Sequence, residues 1–153
     1  ASMVATQATL TLLDQINNPV WTGAAVNIAP ENHVSQTFTP SLPTLIAVEI
    51  GLMTGNAGLG GDTVTMNLIY QGKQIFSSSK AISEGFEGFL HFDITPPLSV
   101  DVGKSLTMEI NDTNKIVFFW KYSGGNTYDG GNALFYGSTY GLNDFYFKTY
   151  GSQ

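Results

Sequence analysis

The 153-residue chain contains no cysteine and no arginine, and only 12% of its residues are charged. The absence of cysteine excludes disulfide bonds, thiolate metal sites and a cysteine nucleophile. The absence of arginine and the net charge of −6 argue against a nucleic-acid partner, because basic side chains neutralise phosphates and read bases. The same lack of positive charge argues against an anionic membrane surface. No apolar run reaches the length of a membrane span, so we expect no membrane insertion.

What the chain does contain is 42% hydrophobic residues, enough for the core of one domain. The polar remainder is dominated by Gly, Ser, Thr and Asn, a mixture typical of extracellular β-rich domains. We therefore expect a single domain over residues 1–153, secreted or located at the cell surface. The opening Ala1–Met3 resembles a leftover of recombinant expression, which predicts that the domain belongs to a larger multidomain secreted protein.

Segments of alternating polar and apolar residues follow one another along the chain and are separated by turn residues. This alternation predicts β-strands with one buried face, and the spacing predicts an all-β sandwich or barrel. No segment has a helical pattern, and we expect the non-alternating residues Asp14–His33 to wrap one end of the sandwich. The predicted strands cover residues 8–14, 34–40, 44–53, 63–70, 88–94, 104–110, 115–122 and 143–150.

Four of these segments carry a resemblance that covers about Ser35–Gly151. The stretches "VSQTFTPSLPTLIAVEIGL", "DTVTMNLIY", "GKSLTMEI" and "NDFYFKTYG" together resemble a jelly-roll β-sandwich domain of bacterial extracellular proteins, often attached to glycoside-active enzymes. The resemblance implies two antiparallel sheets and a non-catalytic carbohydrate-binding module. It also implies a structural calcium where the loop after the first strand meets the last strand. Asp14, Asn18 and Asp144 are the candidate ligands, since calcium prefers oxygen donors.

A segment dense in Tyr, Gly, Asn and Ser, residues 121–151, is the candidate binding surface. Flat rings match the C–H face of a sugar, amides and carboxylates match its hydroxyls, and antibody loops use similar residues. Two alternatives remain open: Trp120 is either a stacking residue or a core residue, and Tyr136 either stacks on ligand or packs in a turn. The candidate glycan-binding residues here are Trp120, Tyr122, Asn126, Tyr128, Asp129, Asn132 and Tyr136, with Tyr140 as a further ring.

A second candidate is His91, which shares a strand face with Asp93. The pair suits a hydrogen-bonding position for a polysaccharide, a catalytic base with its orienting partner, or an ordinary solvated face. Trp21 is either a second stacking platform or a plug at the end of the sandwich. No nucleophile elbow is present, and Glu84 and Glu87 resemble solvated charges more than a glycosidase pair, so we expect no enzymatic activity. The alternative to sugar binding is a structural or adhesion domain with no sugar ligand.

Overall fold

The computed structural model describes residues 9–55, 60–113 and 118–153. The presumed leftover residues 1–3 lie outside this part of the chain, as does Ile116, which the pattern places on one strand face with Trp120. Within the described residues the chain forms thirteen strands and one single-turn 3-10 helix, Pro30–Asn32, which confirms the predicted all-β class. The strands are β1 Leu12–Asn17, β2 Ala25–Asn27, β3 Val34–Phe38, β4 Thr44–Thr54, β5 Asp62–Tyr70, β6 Lys73–Ile82, β7 Gly88–Ser99, β8 Leu106–Asn111, β9 Phe118–Ser123, β10 Ala133–Phe135, β11 Ser138–Thr139, β12 Asp144–Phe145 and β13 Phe147–Ser152.

The strands form two antiparallel sheets, of seven and six strands. The first is built on the order β1-β13-β4-β7, and β9 continues along β4 beyond the end of β13, flanked by β2 and β12. The second runs β11-β10-β3-β8-β5-β6. In the orders 1-13-4-7 and 3-8-5-6 the chain passes from one sheet to the other after each strand except at the β5–β6 hairpin, which is the connectivity of a jelly roll. The predicted fold class is thus confirmed.

The core lies between the inner faces of the two sheets, where alternate residues of each strand meet. On β5, Val64, Met66 and Leu68 are fully buried, as the alternation predicts, and the residues between them are partly exposed. On β7, Leu90 and Phe92 point inward, so His91 between them lies on the outer face. The inward rows of β4, β8 and β9 complete the core.

The first strand corrects one prediction. β1 overlaps the predicted strand 8–14 but begins only at Leu12, and it ends at Asn17, inside the segment Asp14–His33 that was expected to wrap one end of the sandwich. Leu10 and Leu12 are exposed. The reason is pairing with β13, which the local pattern does not reveal. Asn17, the last residue of β1, is buried, and its side-chain amide donates to the backbone carbonyl oxygens of Asp144 and Phe145 at 3.2 and 2.9 Å.

Strand β6 was not predicted at all. It is ten residues long and forms the outer edge of the second sheet, where it pairs with β5. Its middle, Ser77–Ser79, has no apolar alternation because most of this edge strand is exposed on both faces. Hydrogen bonds to β5, rather than burial, define it.

Candidate functional site

Trp120 lies in the core. Its ring is 0% exposed and stacks on Phe145, with ring centroids 4.2 Å apart and 13° between the planes. The indole Nε1 donates a hydrogen bond of 2.9 Å to the backbone oxygen of Tyr146. Phe118 and Trp120 are buried on the inner face of β9, whereas Phe119 between them is partly exposed. Trp120 is therefore a core residue, which decides between the two alternatives that the sequence left open.

Tyr128 is also buried, with 7% of its surface exposed. Its ring meets Phe147 edge-to-face at a centroid distance of 4.9 Å. Its hydroxyl donates to Gln15 Oε1 at 2.9 Å and accepts from the backbone N–H of Thr39 at 3.1 Å. Burial raises the pKa of this hydroxyl. Tyr128 thus ties the Tyr-rich segment to β1 and β3, and its ring is covered by protein.

Four other rings form a contiguous cluster that reaches the surface, here called the aromatic surface: Tyr122, Phe135, Tyr136 and Tyr140. Ring centroids are 5.2 Å apart for Tyr122 and Tyr140, 5.5 Å for Tyr140 and Phe135, and 4.3 Å for Phe135 and Tyr136. The hydroxyls of Tyr122 and Tyr140 lie 3.3 Å apart. At its inner end Tyr122 contacts Phe145 at 6.1 Å, so the rings continue into the core.

Tyr136 is the exposed end of this cluster, with 60% of its surface accessible. Phe135 pairs with Ser138, so Tyr136 and Gly137 form a two-residue hairpin turn. Their φ angles are 55° and 74°, as a type I′ turn requires. The hydroxyl of Tyr136 donates to Asn32 Oδ1 at 3.0 Å, and its N–H donates to the Asn32 carbonyl at 2.9 Å. Both ends of the exposed residue are therefore fixed.

The three predicted polar residues of the Tyr-rich segment are all exposed. Asn126 adopts a φ of 54° and donates from its amide to Asp129 Oδ1 at 3.3 Å. Asn132 directly precedes β10, and its backbone N–H donates to Thr37 Oγ1 at 2.8 Å. These side chains can offer hydrogen bonds to a ligand beside the rings.

His91 lies between two carboxylates on the outer face of the first sheet. Its Nδ1 is 2.9 Å from Glu49 Oε2, and its Nε2 is 2.8 Å from Asp93 Oδ1. Burial lowers the pKa of His91, but the two hydrogen-bonded carboxylates raise it more, and the net pKa is above its ordinary value. Tyr150 completes the cluster by donating to Glu49 Oε1 at 2.8 Å. The two carboxylates therefore favour the protonated, cationic form of His91, in which each ring N–H donates to one of them.

A cleft of about 580 Å³ opens between the ends of β6 and β7, next to His91. Phe86 and Phe89 line it, and Lys80 donates from Nζ to the backbone oxygen of His91 at 2.9 Å across it. Neither phenylalanine was predicted as a site residue. The signal available was the pair of Phe residues in "GFEGF", which are spaced by Gly and Glu rather than by core residues.

Trp21 is partly buried in the loop between β1 and β2. Its indole N–H donates to the backbone oxygen of Ala24 at 2.8 Å, and Lys121 Nζ lies 4.6 Å from the ring centroid. One face of the ring is thus covered by a lysine, a favourable cation–π contact. Trp21 lies on neither the aromatic surface nor the cleft.

Asp14, the first predicted calcium ligand, is engaged by N–H donors. The backbone N–H of Ser41 lies 3.1 Å from each of its oxygens, and that of Leu42 lies 3.2 Å from Oδ2. The Gln15 amide donates to Oδ1 at 3.0 Å. Asn18, the second predicted ligand, is exposed just beyond the end of β1.

Asp144, the third predicted ligand, is fully buried. Its Oδ1 accepts from the Gln36 amide at 3.2 Å and its Oδ2 from the N–H of Tyr128 at 3.1 Å. Burial raises the pKa of this carboxyl. N–H donors thus hold the oxygens that a calcium ion would need, so Asp14 and Asp144 do not fit a cation in this arrangement. The described residues also hold no group of three or more His, Cys, Asp or Glu side chains placed to bind a metal.

Comparison with protein-family models and with curated proteins finds no match for this chain. In the described part of the chain, no helix has the length and hydropathy that a membrane crossing requires. The fold and the aromatic surface are therefore what characterise this protein: an all-β jelly roll that carries a contiguous cluster of rings, an arrangement compatible with ligand binding.

Proposed function

We propose that this domain is a non-catalytic carbohydrate-binding module that recognises a neutral glycan on the aromatic surface. The observation that carries the proposal is the exposed ring of Tyr136, held in a backbone conformation that tyrosine rarely adopts. The ring offers a flat apolar face to the C–H face of a sugar. Phe135 contacts this ring edge-to-face and is itself in contact with Tyr140, and the Tyr136 hydroxyl is bonded to Asn32, so little ordering is needed when a ligand binds.

The position of Tyr136 favours a role in binding over a role in stability. Type I′ turns prefer Asn-Gly, because both central residues need positive φ. Tyrosine in this conformation costs on the order of 1 kcal/mol. Such a cost at an exposed position, in a turn that Asn would satisfy better, supports selection for the ring itself. The chain has a matched turn without a ring, Gln71–Gly72 between β5 and β6, with φ of 51° and 76°.

The charge of this segment supports a neutral ligand. Residues 122–142 contain no lysine, and Asp129 is their single acidic residue. An anionic polysaccharide would meet this carboxylate with no compensating cation from the segment. The exposed amides of Asn126 and Asn132, by contrast, suit sugar hydroxyls, which both donate and accept hydrogen bonds. The low charge and the Gly/Ser/Thr/Asn-rich composition support a secreted or cell-surface location.

The test is binding to a panel of plant, algal and microbial polysaccharides by affinity electrophoresis, with Tyr136→Asn as the decisive variant. Because Asn suits the turn, we expect Tyr136→Asn to fold with undiminished stability and to bind at least about tenfold more weakly, a change of about 1.4 kcal/mol. Gln71→Asn is the matched control and should bind as the wild type does. Unchanged binding by Tyr136→Asn would exclude the aromatic surface as the site.

The second candidate function, a structural or adhesion domain with no sugar ligand, is favoured by one feature. Strand β1 pairs with β13 on one side and, among the described residues, with no strand on the other. Leu13 and Ile16 on this edge are exposed, as is Val20 beyond it. Apolar edge strands are docking sites for other chains. Absence of binding to every polysaccharide in the panel would favour this function.

A further inference from the structure

His33 has a left-handed backbone conformation, which residues other than glycine seldom adopt. It follows the 3-10 turn Pro30–Asn32 with a φ of 46°, and its N–H donates to the Pro30 carbonyl oxygen at 3.3 Å. A residue that closes a helical turn in this way is usually Gly or Asn, because other side chains are unfavourable there. Closing the turn therefore accounts for the conformation of His33 but not for its imidazole.

The two histidines of the chain have different surroundings. Both ring nitrogens of His91 lie within hydrogen-bond distance of carboxylates. His33 is exposed, and its imidazole forms neither a hydrogen bond nor an ion pair with any residue that the structure describes. A histidine ring has two nitrogens that can donate or accept, so both are open to a molecule from outside.

The strand register brings His33 to the exposed end of the aromatic surface. β10 pairs with β3 in a register that sets Leu134 opposite Ser35, and two residues further on Tyr136 is opposite His33. The N–H of Tyr136 donates to the Asn32 carbonyl oxygen at 2.9 Å, and its hydroxyl donates to Asn32 Oδ1 at 3.0 Å. The two segments therefore stay together beyond the paired residues. Because opposite residues are neighbours, an exposed phenol and an exposed imidazole lie side by side.

Unfavourable backbone conformations coincide at this position. Gln71, which also has a positive φ, lies in the turn between β5 and β6, and β6 and β11 form opposite edges of the second sheet. His33 and Tyr136, with φ of 46° and 55°, are neighbours instead. Strained residues cluster at ligand sites, where the side chain is selected at the expense of the backbone. The paired strain therefore indicates that both rings serve one ligand.

We propose that His33 is a further ligand-binding residue of the aromatic surface and that its imidazole hydrogen-bonds a free hydroxyl of the sugar that stacks on Tyr136. This inference rests on the proposed glycan-binding function and extends that site onto the turn that ends at His33. A flat ring contacts the C–H face of a sugar but does not fix its rotation about the stack. An imidazole in its neutral form has one donor and one acceptor, which match a hydroxyl, so it supplies the missing orientation.

The test is affinity electrophoresis of His33→Gly in gels that contain xyloglucan, galactomannan, laminarin or arabinoxylan, with wild type and Tyr136→Asn alongside. Gly suits the left-handed conformation, so His33→Gly should fold with undiminished stability. We expect it to bind about two- to tenfold more weakly than the wild type, as the loss of one hydrogen bond predicts. Gln71→Gly, which makes the same change in a turn at the opposite edge of the sheet, is the matched control and should bind as the wild type does.

The outcomes separate this inference from the proposed function. Wild-type binding by His33→Gly, together with weaker binding by Tyr136→Asn, would overturn the role of His33 and leave the proposed function standing. Equal binding by wild type and Tyr136→Asn, or no retention of the wild type in any of the four gels, would overturn both.

Nuclear magnetic resonance gives a second measurement that needs no variant to bind. The chain has only two histidines, and their carbon-bound ring protons are assigned by comparison with His33→Gly. Titration of the wild type with the polysaccharide of the four that retains it should shift the His33 signals and leave those of His91 in place. Unmoved His33 signals would overturn the inference. Shifts of His91 alone would place the ligand at the cleft between β6 and β7 and overturn both proposals.

Discussion

The indole of Trp120 stacks nearly parallel on the ring of Phe145, at a centroid distance of 4.2 Å. One residue belongs to β9 and the other to β12, two neighbouring strands of the first sheet. Phe145 in turn contacts Tyr122, so the inner end of the aromatic surface is continuous with the core. The outer end of the same ring cluster is the candidate ligand site, so stability and binding can be separated by position.

Trp120→Ala should destabilise the domain strongly. The change leaves a large cavity and removes the hydrogen bond to the Tyr146 oxygen, and we expect a loss of about 3–5 kcal/mol in the free energy of unfolding. Urea unfolding followed by circular dichroism measures it. Trp21→Ala, which removes a partly exposed ring, is the matched control and should lose less. Equal losses in the two variants would contradict the assignment of Trp120 to the core.

Tyr128→Phe should destabilise the fold without a direct effect on binding. The variant keeps the ring on Phe147 but leaves the Thr39 N–H and the Gln15 oxygen without their partner, at a cost of about 1–3 kcal/mol. Tyr136→Phe, whose hydroxyl is at the surface, should change stability by less than about 0.5 kcal/mol. Chemical denaturation of both variants tests whether Tyr128→Phe loses more stability than Tyr136→Phe. A larger loss in Tyr136→Phe would be inconsistent with the structure.

His91 should make stability depend on pH near neutrality. Because Glu49 and Asp93 raise its pKa above 6.5, protonated His91 stabilises the fold below about pH 6.5, and this contribution disappears as the pH rises through the folded-state pKa. The side chain is 41% exposed, so the contribution is at most about 1 kcal/mol. Urea unfolding between pH 5.5 and 8.5 should show a decrease in the free energy of unfolding with rising pH in the wild type and not in His91→Gln. The same pH slope in both proteins would refute the role of His91.

Tyr150 should produce a loss of stability at alkaline pH. Burial, together with the hydrogen bond to Glu49, raises the pKa of Tyr150 to about 12. The neutral phenol therefore stabilises the fold up to about pH 10, and this contribution is lost between pH 10 and 12. Absorbance titration at 295 nm should lose its component near pH 12 in Tyr150→Phe. In Glu49→Gln the component should move to lower pH, and an unmoved component would mean that Glu49 has no part in the shift.

Much of the sandwich was predictable because its inner strands alternate. The inward rows of β5 and β8, and the shared outer face of His91 and Asp93, follow directly from a period of two. The register shift between Leu45 and Ala47 on β4 was not predictable, since a bulge depends on the partner strand. The exposed edge strands β1 and β6 were missed or misplaced for a related reason: their pairing, not their burial pattern, defines them.

The candidate site was only partly predictable. The composition of the Tyr-rich segment indicated rings and amides at one surface, but it did not separate Tyr128, which is buried, from Tyr136, which is exposed. That difference arises from contacts with Thr39 and Asn32, both far away in the sequence. Trp120 was ambiguous because both faces of its strand are apolar, so no alternation could assign an inner face.

The unbroken series of rings from Tyr136 through Phe135, Tyr140, Tyr122 and Phe145 to Trp120 has an optical consequence. The centroids of neighbouring rings lie 4.2–6.1 Å apart. Excitation energy absorbed by a surface tyrosine can therefore be transferred to the buried indole of Trp120, which then emits the fluorescence. A ligand that changes the excited state of Tyr136 or Tyr140 would then alter tryptophan emission. The domain thus carries an intrinsic fluorescent reporter that joins its surface to its interior.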